Sequence, residues 1–196
     1  MARQSIEDIR KIELIDAALA VIAEEGHDAA TTQKIAARAG ISAGIVHHYF
    51  GDKASLLQAS MRAIRKPVAR AYVENLAAQG LTTTAGRPAL EACLEAHLSP
   101  AILTVRRAAA WLQFTARVAY VPDYARVHAL VRNRQVAALT RAVRPLVPHQ
   151  GDSVRMGIRL AVALDGYWME CATREGGLTA KEARLAIDAL LSDSVW

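Results

Sequence analysis

The chain has 196 residues, 53% hydrophobic and 22% charged, with a mean hydropathy of +0.12, which suits one mid-sized or two small cores and excludes a disordered chain. Its formal net charge is +5, yet residues 1–55 hold six basic against eight acidic residues, a balance of −2, while the remainder carries +7. A pI near 9.5 therefore does not single out the N-terminal segment as a nucleic-acid binder, and any such role must rest on motif and geometry.

The pattern along the chain is helical, without a convincing alternating strand. Arg3, Glu7, Asp8, Arg10 and Lys11 interrupt the apolar residues near the start, so no signal-peptide core forms there. A first helix is expected from about Ile6 to Glu24, with Ile12, Ile15, Leu19 and Ile22 on one face and Gly26 ending it. Thr31 caps a short second helix, Thr32 to Ala39, closed by Gly40; Ser42 caps a third, Ala43 to Tyr49. Asp52 caps a fourth that begins at Lys53 and reaches about Ala78. Pro67 is expected to bend it or break it after Lys66, because the ring removes one N–H and clashes with the preceding turn.

Gly86 and Pro88 open a fifth helix that ends near Leu98. Ser99-Pro100 reads as a cap and first-turn proline for a sixth, reaching about Ala119. Pro122 starts the seventh, and Pro145 and Pro148 close it. An eighth begins at Asp152 or Ser153 and stops at Gly176-Gly177; its apolar run Leu160 to Leu164 is cut by Asp165, far short of a membrane span of ~18 residues. Thr179 and Glu182 form a capping box for the last, about residues 179–193. The fold class is all-α, about nine helices, with a helix-turn-helix domain over 1–52 and a helical domain over 53–196.

Residues 31–50 read T-T-Q-K-I-A-A-R-A-G-I-S-A-G-I-V-H-H-Y-F. Two short helices joined by a three-residue Gly-Ile-Ser turn form the helix-turn-helix pattern, with Ile35, Ala36, Ala39, Ile41, Ile45 and Val46 as its apolar contacts. The third helix would enter a major groove, Ser42, Ala43, Gly44, His47 and His48 being able to reach base edges. Thr31, Thr32, Tyr49 and Lys53 fit phosphate contacts, the threonines at a helix N-terminus that favours an anion. His47 and His48 can equally be a solvated pair, and Tyr49 and Phe50 can be core, an assignment that suits Phe50 better than Tyr49.

These residues resemble the TetR family of one-component transcriptional repressors, whose signature looks like T-x-x-x-I-A-x-x-A-G-[VI]-S-x-G-x-x-Y-x-Y-F-x-x-K-x-x-L-L. The chain matches at Thr31, Ile35, Ala36, Ala39, Gly40, Ile41, Ser42, Gly44, Tyr49, Phe50, Lys53, Leu56 and Leu57. It departs at His47, usually tyrosine in the family, and at Ala43, often lysine. The resemblance implies a double-stranded DNA operator, a small-molecule effector and a homodimer through the last two helices. Met156, Leu160, Ala163, Leu164 and Tyr167, interleaved with Gly157, Ala161 and Gly166, suit that pairing or a helix buried within one subunit.

Eight of the ten aromatic residues lie outside the helix-turn-helix: Tyr72, Trp111, Phe114, Tyr120, Tyr124, Tyr167, Trp168 and Trp196. Trp111 and Phe114 are three apart on one helix, Asp165 and Trp168 on another. A carboxylate among aromatics suits an organic cation; alternatively Asp165 bonds across a helix interface and Trp111 fills core. The stretches A-W-L-Q-F and A-L-D-G-Y-W-M are similar to those of the choline-responsive repressors of glycine betaine synthesis (BetI type), in which a second tryptophan stands where this chain has Thr115. That likeness implies a quaternary ammonium effector such as choline; an apolar or aromatic effector is the alternative.

No H-E-x-x-H, P-loop, G-x-S-x-G or usefully spaced Cys/His pair is present. Cys93 and Cys171 make no C-x-x-C pair. No enzyme, cofactor or metal site is expected, and the expected location is cytoplasmic. A helical adaptor that binds only protein is the competing reading, separated from a repressor by salt- and sequence-dependent DNA affinity.

Overall fold

A computed structural model describes residues 5–192; Arg3, Trp196 and the expected helix end at residue 193 lie outside the described residues. Nine α-helices follow one another among the described residues: α1 (Ile6–Glu25), α2 (Thr32–Arg38), α3 (Ala43–Phe50), α4 (Lys53–Ala78), α5 (Arg87–Leu98), α6 (Val105–Thr115), α7 (Pro122–Val143), α8 (Gln150–Thr173) and α9 (Ala180–Ser192), with a short 3-10 turn at Arg144–Leu146. No strand occurs among the described residues, and none of their helices is long and apolar enough to cross a membrane.

Local chemistry sets most of the ends. Ser5 and Asp8 form a reciprocal capping box on α1, and Thr179 and Glu182 form the expected one before α9: the Glu182 N–H reaches Thr179 Oγ1 at 3.2 Å, and the Thr179 N–H reaches Glu182 Oε2 at 3.0 Å. Those bonds and Arg174 hold the Glu182 carboxyl at about 2.

Three expectations are corrected. The sixth helix starts at Val105, not at Ser99-Pro100. The Ser99 carbonyl accepts from the N–H groups of Ile102 and Leu103 at 2.9 and 2.8 Å, but that single turn is not propagated; Thr104 instead caps α6 through its hydroxyl, 3.3 Å from the Arg107 N–H. Of the two outcomes expected at Pro67, a bend or a break, the break after Lys66 does not occur, since α4 runs unbroken through the proline. Leu56, Leu57 and Met61 before the proline and Val68 and Leu76 after it are all buried, and that burial holds both halves helical against a proline penalty of about 3 kcal/mol. On α1 the buried face is Leu14, Ala17, Ala18, Val21 and Ile22, while Ile12 is 45% exposed. Ile22 of the expected stripe is buried, but Ile15 and Leu19 are only half-buried, and Ala17, Ala18 and Ala20 share the buried face with Leu14 and Val21.

The chain forms two compact units. One runs to Ile64 and takes in Ala109–Val127; α1, α2 and α3 pack mutually in it, around buried Leu14, Ile22, Ile35, Val46, Leu56 and Phe114. The other comprises Arg65–Ala108 and the chain from His128 onward. In it α9 packs on α5 and α8, and Leu90, Leu94, Leu139, Leu160, Leu164 and Trp168 are buried.

Candidate nucleic-acid interface and effector site

The turn of the helix-turn-helix is closed by backbone bonds. The Gly40 N–H donates to the Ala37 carbonyl at 3.2 Å and the Ile41 N–H to the Ala36 carbonyl at 3.0 Å. Gly40 takes φ +69° there, the left-handed conformation that ends a helix most cheaply as glycine. Ser42 then caps α3 in extended conformation without a side-chain cap bond. Val46 anchors α3 inward, and Ser42, Gly44, His47 and His48 are exposed, with Ala43 half-buried. A Cβ built on Gly44 would meet no atom within 4 Å, so nothing inside the protein demands glycine at that position.

His47 Nδ1 lies 2.7 Å from the Gly51 carbonyl oxygen. A carbonyl only accepts, so Nδ1 carries a proton and Nε2 is free to face outward. The His48 and Tyr49 rings meet edge-on at 4.9 Å. Thr31 Oγ1 accepts from the Lys34 N–H at 3.2 Å, and Thr32 follows it half-buried at the start of α2.

The local cations explain why the segment's charge balance is uninformative. Lys34 binds Glu25 at 2.5 Å, Arg38 grips Glu24 through two bonds of 2.7 and 2.8 Å, and Lys11 and Arg10 pair with Glu7 and Glu13. Lys53, half-buried at the start of α4, makes no ion pair among the described residues. The Glu24-Glu25 doublet was the visible sign that Lys34 and Arg38 would be engaged within the protein.

The four aromatic and acidic residues expected around an effector fall into different units. Trp111 and Phe114 belong to the first and are buried. Phe114 meets the edges of His27 and Tyr124 at 5.7 and 5.1 Å. His27 Nδ1 faces Asp28 at 3.2 Å, so its Nε2 accepts from the Tyr124 hydroxyl at 2.8 Å, and Arg117 holds Asp28 at 3.0 Å. Burial lowers the His27 pKa and raises that of Tyr124 to about 12.

Asp165 and Trp168 belong to the second unit, and there the carboxylate is not isolated. Arg65 Nη2 donates to Asp165 Oδ1 at 2.7 Å and Arg132 Nη1 to Asp165 Oδ2 at 3.0 Å. The Arg65 guanidinium lies 4.3 Å from the centroid of the Trp168 ring, and its Nη2 also donates to Gln135 Oε1 at 3.1 Å. The cation over the tryptophan is thus the chain's own. Arg65, Gln135 and Trp168 are all more than nine-tenths buried. Arg65 and Arg132 were missed by sequence reasoning; a signal for Arg65 existed, since it lies four residues after Met61 and three before Val68, both buried, on the inward face of α4. Nearby His97 donates from Nδ1 to the Cys93 carbonyl at 2.9 Å, and burial, with Arg65 adding to it, presses its pKa down to about 4. A groove of about 1120 Å³ runs between α7 and α8, lined by Ala129, Val136, Arg141, Val154 and Ile158 among others and sharing Arg132 with this cluster. No cluster of three or more metal-ligating side chains occurs among the described residues.

Residues 14–60 match the model of the bacterial regulatory proteins of the tetR family, and residues 86–195 match that of the BetI-type transcriptional repressor C-terminal domain. The HTH-type transcriptional regulator BetI 2 of Chromohalobacter salexigens is 34% identical over 184 residues, 94% of this chain and 87% of that protein. The regulator BetI of Escherichia coli O139:H28 is 33% identical over 88% of this chain and 87% of its own length. Among solved structures, a transcriptional regulator from Pseudomonas aeruginosa PAO1 is 28% identical with a TM-score of 0.77, covering 97% of this chain and 92% of that one. One from Saccharomonospora viridis in complex with choline shares the fold at a TM-score of 0.71 and 18% identity, covering 94% and 96%. Two family models matching successive parts of the chain, over a helix-turn-helix whose reading helix presents its polar face outward, place this protein in the TetR family as a BetI-type, DNA-binding transcriptional repressor and not an enzyme.

Proposed function

We propose that the protein binds a palindromic operator as a homodimer and is released from it by a small molecule. The observation that carries the DNA half is the outward face of α3: Ser42, Gly44, His47 and His48 are exposed while Val46 is buried, which suits docking into a major groove. Thr31, Thr32, Tyr49 and Lys53 supply phosphate contacts around it, with Ala43 beside the bases. Met156, Leu160 and Leu164, the stripe expected for pairing, are buried within the subunit; pairing through α8 and α9 is supported instead by Val154, Ile158 and Val162, exposed apolar residues at four-residue steps on α8, with Leu185 exposed on α9.

The effector reading rests on Asp165 and Trp168 in the second unit. A quaternary ammonium such as choline is the class that the BetI relatives bring to it. Trp111 and Phe114, expected beside them, belong to the first unit, where Phe114 packs on His27 and Tyr124, and they are left out of this reading. To act, the effector must favour the state that does not bind DNA; a preference of about 100-fold makes a usable switch.

The experiment is a shift assay with inverted half-sites against a scrambled duplex over a range of salt. Specific binding that weakens steeply with salt supports the reading; equal affinity for both duplexes sinks it.

A further inference from the structure

The Arg65 cluster has a one-sided demand. Gln135 offers its oxygen to Arg65, and because a guanidinium only donates, the amide cannot be flipped; the other end is the NH2 group. Gln135 Nε2 and the Trp168 indole Nε1, which is always a donor, are buried with no hydrogen-bond partner. Both belong to residues that flank one guanidinium. So two N–H groups wait for an acceptor, and buried donors left unmet are costly.

Charge points the same way. Arg65 and Arg132 both donate to the one carboxylate of Asp165, so an anion placed here meets positive charge from two guanidinium groups. His97 adds none, since its pKa near 4 keeps it neutral at physiological pH. A trimethylammonium group has no acceptor, and it would set a further cation beside these two. A carboxylate offers an acceptor to both donors and is attracted by the two guanidinium groups.

Building on the effector reading above, we infer that the small molecule bound at Asp165 and Trp168 carries a carboxylate, accepted by Gln135 Nε2 and Trp168 Nε1 beside Arg65. A quaternary ammonium on the same molecule is compatible with this; a quaternary ammonium alone is not sufficient.

Four probes of one shape separate the two charges: choline and its uncharged isostere 3,3-dimethyl-1-butanol carry a hydroxyl, glycine betaine and its isostere 3,3-dimethylbutanoate a carboxylate. Titrated calorimetrically into the full chain, each carboxylate is expected to bind about tenfold or more tighter than its alcohol partner, the scale of a charge-assisted hydrogen bond. Trp168→Phe keeps the ring and removes the N–H, and Gln135→Glu keeps the oxygen facing Arg65 and removes the donor. Each should erase most of that preference. Alcohols binding as tightly as carboxylates, a preference that survives both variants, or no binding of any probe overturns the inference. An operator assay with the same probes tells its failure from that of the effector reading. Release by choline with no response to either carboxylate overturns only the inference; DNA binding untouched by all four overturns both.

Discussion

Gly157 lies against Thr140: a Cβ built on it would stand 2.3 Å from Thr140 Oγ1, 2.9 Å from its backbone nitrogen and 3.0 Å from its Cα. α8 therefore meets α7 at backbone distance, and no rotamer of Thr140 relieves all three contacts. Gly157→Ala is expected to destabilise by about 1–3 kcal/mol, the usual range for overpacking. Gly166, whose Cβ would meet nothing within 4 Å, is the control. Gly166→Ala should gain up to about 1 kcal/mol from helix propensity alone, and urea midpoints for the pair give the comparison.

On DNA, Lys53 and His47 should fail differently. Lys53→Ala is expected to weaken binding to operator and unrelated duplex alike and to lower the salt slope by about 1. His47→Ala should relax preference at particular base pairs while leaving unrelated DNA bound as before, at a cost of about 1–3 kcal/mol for the operator. Fluorescence anisotropy over a salt series separates the two.

Asp165→Asn should strand Arg65. Its side chain is 5% exposed and that of Asp165 31%, so the remaining guanidinium would lose its carboxylate in a place where water reaches it poorly. A loss of about 3 kcal/mol is expected, the low end for breaking a buried pair. Arg65→Met, which removes the buried charge along with its need for a partner, should cost less. The reverse order in chemical denaturation would contradict the pairing seen here.

Acid should destabilise the fold through His97. Its folded pKa, about 4, lies below the ordinary 6.5, so between those values the unfolded chain binds the extra proton. Stability is complete above about pH 6.5 and falls as pH drops toward 4, by about 2 kcal/mol at pH 5. In His97→Leu that part of the slope should vanish. Wild-type and variant urea midpoints at pH 7 and 5 measure the difference.

What was legible in the sequence was local. Thr31, Gly40 and the Thr179–Glu182 box act on neighbours three or four residues away, so their roles show in the order of residues. Thr104 was hidden because Ser99-Pro100 offers an equally good helix start that the chain uses for only one turn. The partners of Asp165 were hidden for another reason: Arg65 is 100 residues distant, and nothing local to either residue reports the bond. Pro67 announced a disturbance without saying which, and burial along α4 keeps the helix unbroken there.

The bond between His27 and Tyr124, 97 residues apart, bears on how the protein is made. At synthesis rates of about 5–20 residues per second, Tyr124 leaves the ribosome roughly 5–19 s after His27. The DNA-reading segment emerges early but stays without Phe114 and Tyr124 for that interval, its interior open to other chains and to chaperones. A transplant of this reader onto another regulator inherits the same debt: cut after residue 52 or even after Ile64, it leaves behind the side chains that close its own core, and only a graft that also carries residues 109–127 transfers it whole.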